Sequence, residues 1–285
     1  MAELNEVESY LLGDWYINLD YGLKNLIKYQ SFLANKANGS VDFDKIKGLS
    51  APRTALLNVD MSEYLPTSEG KKVSIAKISF SGPMISEPDL CTDGIQSVID
   101  ELKAAYADDS IGGILLEFNT GGGEVSAAIK MRAAVQDKNK PVVVLSNGFA
   151  SAGVYSVLDA DERIATSKLA KFGSIGVLVS LNSKAIEYIK ENVITIYSKY
   201  SDNKNKAHRD ILEGDFETLK ADISALDKVF MSEVNEALSL DPSTKEETLS
   251  GGMFLAEDAK KRGLLDAIGG ESMAIRRLLS IIKNS

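Results

Sequence analysis

The sequence predicts an α/β fold with a largely parallel sheet, and two observations support this class. From Val73 onward, apolar runs rich in β-branched residues alternate with segments of helical periodicity, as expected for strand-turn-helix units. Two of these runs, Ile111–Phe118 and Pro141–Leu145, end in turns of glycine and other small residues, and each turn leads into a predicted helix. We expect both turns to lie at the same edge of the sheet, because they follow the carboxyl ends of neighbouring strands.

The composition is that of a globular protein and limits the classes of partner. The chain has 285 residues, of which 44% are hydrophobic and 26% are charged. Its formal net charge of −9 argues against nucleic acid or an anionic membrane as the main partner. Cys91 is the only cysteine, so no intrachain disulfide can form. Because the sequence has neither a membrane-spanning run nor the pattern of a signal peptide, we expect a cytoplasmic protein.

The sequence divides into three parts. Residues 1–72 form an N-terminal arm, which we expect to be partly helical and irregular because breakers such as Pro52 and Pro66 interrupt its apolar pattern. Residues 73–270 carry the alternating strands and helices and form the main domain. Residues 271–285 form a C-terminal helix.

Periodicity predicts each element of the main domain in turn. Strands are predicted at 73–82, 111–118, 141–145, 163–166 and 193–198. Helices are predicted near 93–107, 126–138, 151–158, 185–189, 216–238, 256–262 and 272–282. The polar run 198–210 has no apolar periodicity, so we expect a surface loop there.

The first turn, FNTGGGEV at 118–125, contains the three successive glycines Gly121–Gly123. Because these residues have no Cβ, their amides can point at an approaching oxygen, and the turn can form the floor of an active site. A phosphate cradle would need a Lys-Ser/Thr pair after the glycines or the wider spacing of a dinucleotide fingerprint, and GGGEVSAA has neither. A tight turn without function remains the alternative.

The second turn, NGFASAGVY at 147–155, places Ser151 at the start of a predicted helix between small residues. A helix N-terminus favours the negative charge that develops during acyl transfer, so Ser151 is the candidate nucleophile. Serine is also a preferred N-cap residue, and a plain helix cap is the competing interpretation. A base is therefore needed to decide between the two.

The candidate bases lie in the polar run after the sheet. The single histidine, His208, stands beside Arg209 in this run, where we expect it to be inert. A serine-lysine pair is the known arrangement without histidine, and it needs a lysine kept uncharged by burial or by nearby positive charge. Lys199, Lys204 and Lys206 follow one another closely here, although such a run is also typical of a solvated surface.

Three motifs in this order resemble the signal peptide peptidase A (protease IV) family of serine proteases. They are IGGILLEFNTGGGEV, then PVVVLSNGFASAGVYSVLDADERIATS, then FGSIGVLVSL, and the resemblance covers roughly 73–270. The family pattern has Asn-Ser-Pro-Gly-Gly, Ala-Ser-Gly-Gly and Gly-Ser-Ile-Gly-Val at these places. Thr120, Gly121 and Ala152 are departures from it.

The resemblance implies roles for particular residues. It assigns Ser151 as the nucleophile and the amides of Gly122 and Gly123 as the oxyanion hole. It implies a lysine about fifty residues after the serine, and the family's membrane-bound pattern would put Ser201 at that place. The run DNKN at 202–205 is similar to the version found in soluble phage and prophage members, so Lys204 is the predicted base. The chemistry requires neither a metal ion nor an organic cofactor.

The same resemblance implies a fold, a partner and an assembly. It implies the spiral of strand-turn-helix units shared by the crotonase and caseinolytic protease folds. Resemblance to the phage head-maturation branch implies a polypeptide substrate such as a scaffold, portal or capsid protein. It also implies a homo-oligomeric ring, and the surplus apolar positions on 216–238 and 272–282 are suited to the interfaces of such a ring. A crotonase-like acyl-CoA enzyme and an inactive assembly scaffold are the alternatives.

Overall fold

The computed structural model describes residues 15–17, 53–66, 68, 70–87 and 94–285. The rest of the arm, including the helical pieces predicted there, lies outside the described residues, as does Cys91. The strands are β1 Trp15–Ile17, β2 Arg53–Asp60, β3 Lys72–Ser81, β4 Ile111–Asn119, β5 Gly122–Glu124, β6 Val142–Ser146, β7 Gly148–Ala150, β8 Glu162–Ala165, β9 Lys171–Gly173, β10 Met253–Leu255 and β11 Ala267–Ile268. The helices are α1 Met61–Tyr64, α2 Gly94–Ala107, α3 Val125–Gln136, α4 Ala152–Ser156, α5 Ser183–Asn192, α6 Lys206–Glu213, α7 Glu217–Ala237, α8 Lys245–Thr248, α9 Ala256–Lys261 and α10 Glu271–Asn284.

A six-stranded sheet in the order β11-β8-β6-β4-β3-β2 forms the centre of the molecule. All its neighbouring strands are parallel except the β2–β3 pair. Alternate residues of the central strand β4 serve opposite faces, since Ile114 and Leu116 belong to one buried cluster and Leu115 to the other. Apolar burial on both faces explains why the central strands read as continuous apolar runs.

A smaller sheet in the order β10-β9-β7 adjoins the carboxyl end of the large sheet. The contact is a bridge between Thr120, just after β4, and Phe149 in β7. Successive strand-turn-helix units therefore wind from one sheet into the other. The predicted α/β class with a largely parallel sheet is confirmed.

The large sheet begins earlier than the sequence indicates. Strand β2, at Arg53–Asp60, lies within the range 1–72 assigned to the arm, yet it pairs with β3 along its whole length. Val59 and Met61 at its end are buried in the sheet's core. This part of the arm is ordered by an edge of the sheet that periodicity alone does not reveal.

Two predictions after the sheet are wrong in detail. The strand predicted at 193–198 does not form, and Ile194 and Ile196 are 90% and 91% exposed. An apolar run becomes a strand only with a hydrogen-bonding partner, and none pairs with this one among the described residues. Part of the polar run expected to be a loop is the helix α6, which begins at Lys206 and contains His208 on its exposed surface.

The C-terminal helix packs on the sheet and is not the surplus apolar surface that the sequence indicated. Its Ala274, Ile275, Leu278 and Leu279 are buried. A Cβ at Gly113 would lie 2.9 Å from the Leu278 side chain, so the glycine allows the helix to approach β4 closely. Among the described residues, no helix is both long and apolar enough to cross a membrane.

Candidate active site

The structure joins the two turns that the sequence singled out. The Thr120 amide donates to the Gly148 carbonyl at 3.1 Å, and the Ala150 amide donates to the Thr120 carbonyl at 3.0 Å. Gly153 lies against Thr120, because a Cβ on it would be 2.5 Å from the Thr120 methyl group. The glycine turn and the serine turn therefore form one structure at the carboxyl edge of the sheet.

Ser151 has a strained backbone and no solvent exposure. Its φ is 57° and its ψ is −116°, a conformation that residues other than glycine rarely adopt. Its exposure is 0%, and its amide donates to the Gly173 carbonyl at 2.9 Å. Such strain costs on the order of 1–3 kcal/mol and is concentrated at functional sites, so the backbone of Ser151 supports it as a candidate functional residue.

The Ser151 side chain does not cap the helix that it begins. No capping hydrogen bond is made by its hydroxyl, which instead donates to the Gly176 carbonyl at 3.3 Å. Capping is the contact that would explain the serine as a structural residue. The competing interpretation of Ser151 as a plain helix cap is therefore not supported.

The glycine turn forms the short strand Gly122–Glu124, and one edge of it is bound to Met84. The Met84 amide donates to the Gly122 carbonyl and the Glu124 amide donates to the Met84 carbonyl, both at 2.9 Å. A Cβ on Gly123 would lie 1.9 Å from the Met84 carbonyl oxygen, so only glycine fits there. Gly122 has a φ of 104°, which also favours glycine.

The two predicted oxyanion-hole amides differ in their surroundings. The Gly122 amide donates to the Thr120 hydroxyl at 3.1 Å. Backbone groups alternate in direction along a strand, so the Gly123 amide faces the edge opposite Met84. There Tyr16 of β1 stands opposite Gly123 in an antiparallel pair. The Gly122 amide thus has an acceptor within its own turn, whereas the Gly123 amide faces the strand β1.

The three candidate lysines differ in what they contact. Lys206 makes an ion pair with Asp210 at 2.6 Å, and this contact lowers the pKa of Asp210. The Lys199 ammonium lies 4.7 Å from the centre of the Tyr200 ring. Lys204 is exposed, and no side chain among the described residues bonds or pairs with its ammonium. Of the three, Lys204 is the lysine available for another partner.

Ser151 and Lys204 are not brought into hydrogen-bond contact within one described chain. The hydroxyl of Ser151 is buried against Gly176, and Lys204 is at the surface in the turn before α6. The serine-lysine dyad therefore stays a prediction. Ile194, Ile196 and Tyr200, in the segment that precedes this turn, are strongly exposed.

A polar cluster holds the helix that follows Ser151. The Tyr155 hydroxyl donates to Glu233 at 2.8 Å, and Arg132 bonds both Glu233 and, at 2.8 Å, Asp159. The Arg132 guanidinium also lies 4.8 Å from the centre of the Tyr155 ring. The cluster thus ties α4 to the long helix α7.

Asp227 is a residue near the site that sequence reasoning missed. Its carboxylate accepts a hydrogen bond from the Val177 amide at 3.2 Å, next to the carbonyl that Ser151 contacts. Burial raises the pKa of Asp227, against the opposing effect of that hydrogen bond. The signal was present in the sequence, because Asp227 interrupts the apolar stripe of α7 at the spacing of Ile223 and Phe230.

An open cleft of about 290 Å³ lies beside the joined turns. Its lining comes from the ends of β3, β4 and β6 and from the small sheet, and includes Thr120, Gly121, Phe149 and Lys171. The cleft shows that the carboxyl edge of the sheet is accessible next to the serine turn.

Comparison with known proteins gives one family. The model of peptidase family S49 matches residues 134–283, a range that contains Ser151, Lys204 and Asp227 and lies after the glycine turn. A Methanocaldococcus jannaschii protein with a provisional protease name is 33% identical over 187 residues, which are 64% of this chain and 59% of the relative. Protease 4 of Salmonella typhi is 26% identical, over 67% of this chain and 31% of the relative.

A phage protein is also among the relatives. Capsid assembly protease C of Escherichia phage lambda is 28% identical, over 70% of this chain and 48% of the relative. In each of these cases the match spans less than two thirds of the relative's length.

Two solved structures align with most of the chain at low sequence identity. An enoyl-CoA hydratase from Shewanella pealeana has a TM-score of 0.46 and 11% identity, covering 86% of this chain and 78% of that chain. An enoyl-CoA hydratase/isomerase from Pseudoalteromonas atlantica has a TM-score of 0.45 and 15% identity, covering 81% and 75%.

Proposed function

The chain belongs to peptidase family S49, and on this premise we propose that it is a serine endopeptidase with Ser151 as nucleophile and Lys204 as base. The observation that supports this most is the conformation of Ser151, which is buried, strained and free of a capping role. Strain of this kind persists only where the surrounding structure imposes it. A role of Ser151 as nucleophile at the start of a helix would account for this strain.

The proposed reaction passes through an acyl-enzyme. The uncharged Lys204 amine takes the proton of the Ser151 hydroxyl as its oxygen attacks the carbonyl carbon of a peptide bond. The negative oxygen of the tetrahedral intermediate accepts hydrogen bonds from the glycine turn, chiefly from the Gly123 amide. Lysine then gives the proton to the departing amine, and a water molecule, activated in the same way, hydrolyses the ester and restores Ser151.

The proposed base requires burial that the described residues of one chain do not supply. A lysine can act as base near neutral pH only when burial or neighbouring positive charge keeps it uncharged, and Lys204 is exposed. Ile194, Ile196 and Tyr200 close by are exposed by 84% or more. We propose that these residues form contacts in a closed homo-oligomeric ring, and that assembly brings Lys204 into contact with Ser151.

The proposed substrates are polypeptides in an extended or unfolded state. The relative from phage lambda is named a capsid assembly protease, and the motifs of this chain resemble those of the phage head-maturation branch. We therefore propose scaffold, portal or capsid proteins as substrates, cleaved in the bacterial cytoplasm or inside a procapsid. An acyl-CoA enzyme would use the glycine turn but would leave the strained Ser151 without a role.

Hydrolysis of an unfolded, fluorescently labelled polypeptide tests the proposal. Ser151→Ala is expected to abolish hydrolysis, since removing the nucleophile of a hydrolase costs about 10⁶-fold in kcat. Ser156→Ala is the matched control, because this buried serine lies on the same helix and its hydroxyl donates only within the protein interior, to the Ala152 carbonyl and Met84 sulfur. Full activity in Ser151→Ala would refute the proposal.

A further inference from the structure

A single peptide unit lies between Ser151 and Asp227. The Ser151 hydroxyl donates to the Gly176 carbonyl at 3.3 Å, and the Val177 amide donates to Asp227 Oδ1 at 3.2 Å. The carbonyl of residue 176 and the amide of residue 177 belong to the same planar peptide group. The hydroxyl, the peptide and the carboxylate therefore form one continuous chain of hydrogen bonds.

The direction of this chain matters for the hydroxyl. In a trans peptide the carbonyl and the amide point in opposite directions, so holding the amide on Asp227 points the carbonyl at Ser151. A carboxylate at the amide end also polarises the peptide and strengthens the carbonyl as an acceptor. Rotation of this peptide away from Asp227 would turn the carbonyl away from the nucleophile.

The helix that carries Asp227 is fixed on the other side of the nucleophile as well. Glu233, on the same helix, accepts a hydrogen bond from Tyr155 on α4, four residues after Ser151. The same helix thus contacts the loop that meets the Ser151 hydroxyl and the helix that begins at Ser151. Asp227 is consequently held at a fixed distance from the nucleophile.

A structural role explains Asp227 poorly. Burial disfavours its charged form, and no cation among the described residues pairs with it. An asparagine could accept the same amide hydrogen bond without a buried charge. A residue that is costly to stability at this place is expected where function requires it.

We propose that Asp227 is a positioning residue for Ser151, which fixes the peptide between residues 176 and 177 and thereby orients the nucleophile's hydroxyl. The proposal rests on the proposed function. In the resting enzyme the hydroxyl hydrogen is held on the Gly176 carbonyl, and the oxygen keeps one orientation toward the substrate. For proton transfer, the hydrogen turns from this carbonyl to the base, while the oxygen keeps its position toward the substrate.

The test compares three variants of the full chain. Asp227→Ala removes the acceptor, Asp227→Asn keeps an acceptor oxygen, and Asp222→Ala removes an exposed carboxylate from the same helix. The first measurement is the rate at which a fluorophosphonate modifies Ser151. Asp227→Ala is expected to be slower by about tenfold, the effect of one lost hydrogen bond, with KM for polypeptide unchanged. Asp227→Asn is expected to recover only part of the rate, because it keeps an acceptor oxygen but lacks the charge that polarises the peptide. Asp222→Ala is expected to keep the wild-type rate.

Hydrogen exchange of the Val177 amide is the second measurement, and it does not depend on activity. Exchange is expected to accelerate in Asp227→Ala and to stay slow in Asp222→Ala. Modification of Ser151 at the wild-type rate in Asp227→Ala, or unchanged exchange at Val177, would overturn the positioning role. A wild-type protein that is never modified at Ser151 would instead overturn the proposed function itself.

The outer edge of the glycine strand is occupied by the chain's own arm. Trp15–Ile17 pair antiparallel with Gly122–Glu124, and this strand also approaches the helix Ala152–Ser156. The pairing is through the backbone, with Tyr16 opposite Gly123. An extended polypeptide with its carbonyl at Ser151 would need the same edge and the same amide.

We infer that Trp15–Ile17 occupy the place of the substrate strand and compete with substrate for it. Tyr16→Pro removes the backbone amide needed for pairing, whereas Tyr16→Ala keeps it. The proline variant is expected to lower KM for polypeptide severalfold without a change in kcat, because the competing strand is lost. An equal KM in Tyr16→Pro and wild type would overturn the inference.

The only tryptophan of the chain, Trp15, gives a readout independent of catalysis. In the inactive Ser151→Ala chain, a tryptophan-free unfolded polypeptide is expected to displace the arm and change the fluorescence emission of Trp15. In Ser151→Ala combined with Tyr16→Pro, the emission is expected to resemble the displaced state before polypeptide is added. If the polypeptide left the Trp15 emission of Ser151→Ala unchanged, displacement of the arm by substrate would be contradicted.

Discussion

The serine turn and the lysine loop are the two halves of the predicted dyad, and they differ in almost every physical respect. Ser151 is fully buried, its backbone is strained, and its hydroxyl contacts Gly176. Lys204 is exposed and lies in a turn of polar residues. The difference shows that the described part of one chain fixes the proposed nucleophile in place but leaves the proposed base exposed.

The reason for this difference is local. The serine turn consists of small residues at the edge of two sheets, where strands and helices on every side hold it. The lysine loop follows a run whose apolar side chains, Ile194 and Ile196, point into solvent. A second surface is needed to bury them, and the same surface could desolvate the lysine.

Replacing Lys204 is the mutation with the largest expected effect, and it tests the proposed base directly. Lys204→Ala is expected to lower kcat by about 10⁴-fold or more, as for the loss of a member of a catalytic pair. Lys199→Ala, Lys206→Ala and His208→Ala serve as controls and should stay within about twofold. If Lys199→Ala or Lys206→Ala were inactive and Lys204→Ala were active, the choice of lysine would be wrong.

A charge introduced into the exposed run 193–198 tests whether subunit assembly buries the loop that carries Lys204. Ile196→Asp is expected to dissociate the oligomer and to remove most of the peptidase activity, because the charge cannot be buried unpaired. Leu56→Asp is the control, since Leu56 is also exposed but lies on the edge strand β2. Sedimentation velocity together with hydrolysis gives the result. An active monomer of the wild-type chain would contradict the need for assembly.

A side chain added to the strand Gly122–Glu124 tests how tightly this strand is packed beside the serine turn. At Gly123 the Cβ would meet the Met84 carbonyl at 1.9 Å, so Gly123→Ala is expected to lower the free energy of unfolding by about 3 kcal/mol and to abolish activity. Gly270→Ala is the control, because its Cβ would meet nothing within 4 Å. Chemical denaturation measures both. Wild-type stability in Gly123→Ala would show that the strand is not held as described.

A smaller change tests the hydroxyl that holds the glycine turn. Thr120→Val keeps the shape but leaves the Gly122 amide without its acceptor, which is expected to cost about 1–3 kcal/mol of stability. Thr54→Val is the control, because the Thr54 hydroxyl bonds Glu101 at the exposed surface. Equal free energies of unfolding in the two variants would show that the Thr120 hydroxyl does not stabilise the glycine turn.

The pH dependence of stability tests the carboxylate beside the nucleophile. Because burial raises the pKa of Asp227, the folded state binds its proton more tightly than the unfolded state. Its charged form therefore lowers stability above the raised pKa, and this penalty disappears below the ordinary value of 3.8. Asp227→Asn is expected to be more stable than wild type near pH 7, with a difference that vanishes as the pH falls below that value. Thermal unfolding across this range measures it.

Sequence alone predicted the fold class and the adjacency of the two turns at the sheet edge, for physical reasons that particular residues show. Apolar runs such as Ile111–Phe118 are buried on both faces, so they can be recognised as strands from the sequence. The small residues around Ser151 can be recognised because the turn itself requires them. The edge strand Arg53–Asp60 was missed because pairing at an edge depends on a partner distant in sequence. The run 193–198 was misread because its apolar residues have no partner within the described chain.

The remaining misses concern contacts between distant residues. Asp227 stands 76 positions after Ser151, and the gap that it makes in the apolar stripe of α7 does not show which residues it contacts. The C-terminal helix appeared to carry surplus apolar surface because the sheet face that covers it is formed by residues far away in the chain. Only the fold reveals such pairings.

Locating the covalent adduct of a fluorophosphonate by peptide mass mapping tests the central claim most directly. In the wild-type chain the account predicts one adduct, on Ser151, and in Lys204→Ala it predicts that the same adduct forms far more slowly. An adduct on another serine would contradict the assignment of the nucleophile. Equal modification of Ser151 in the two proteins would contradict Lys204 as the base that activates it.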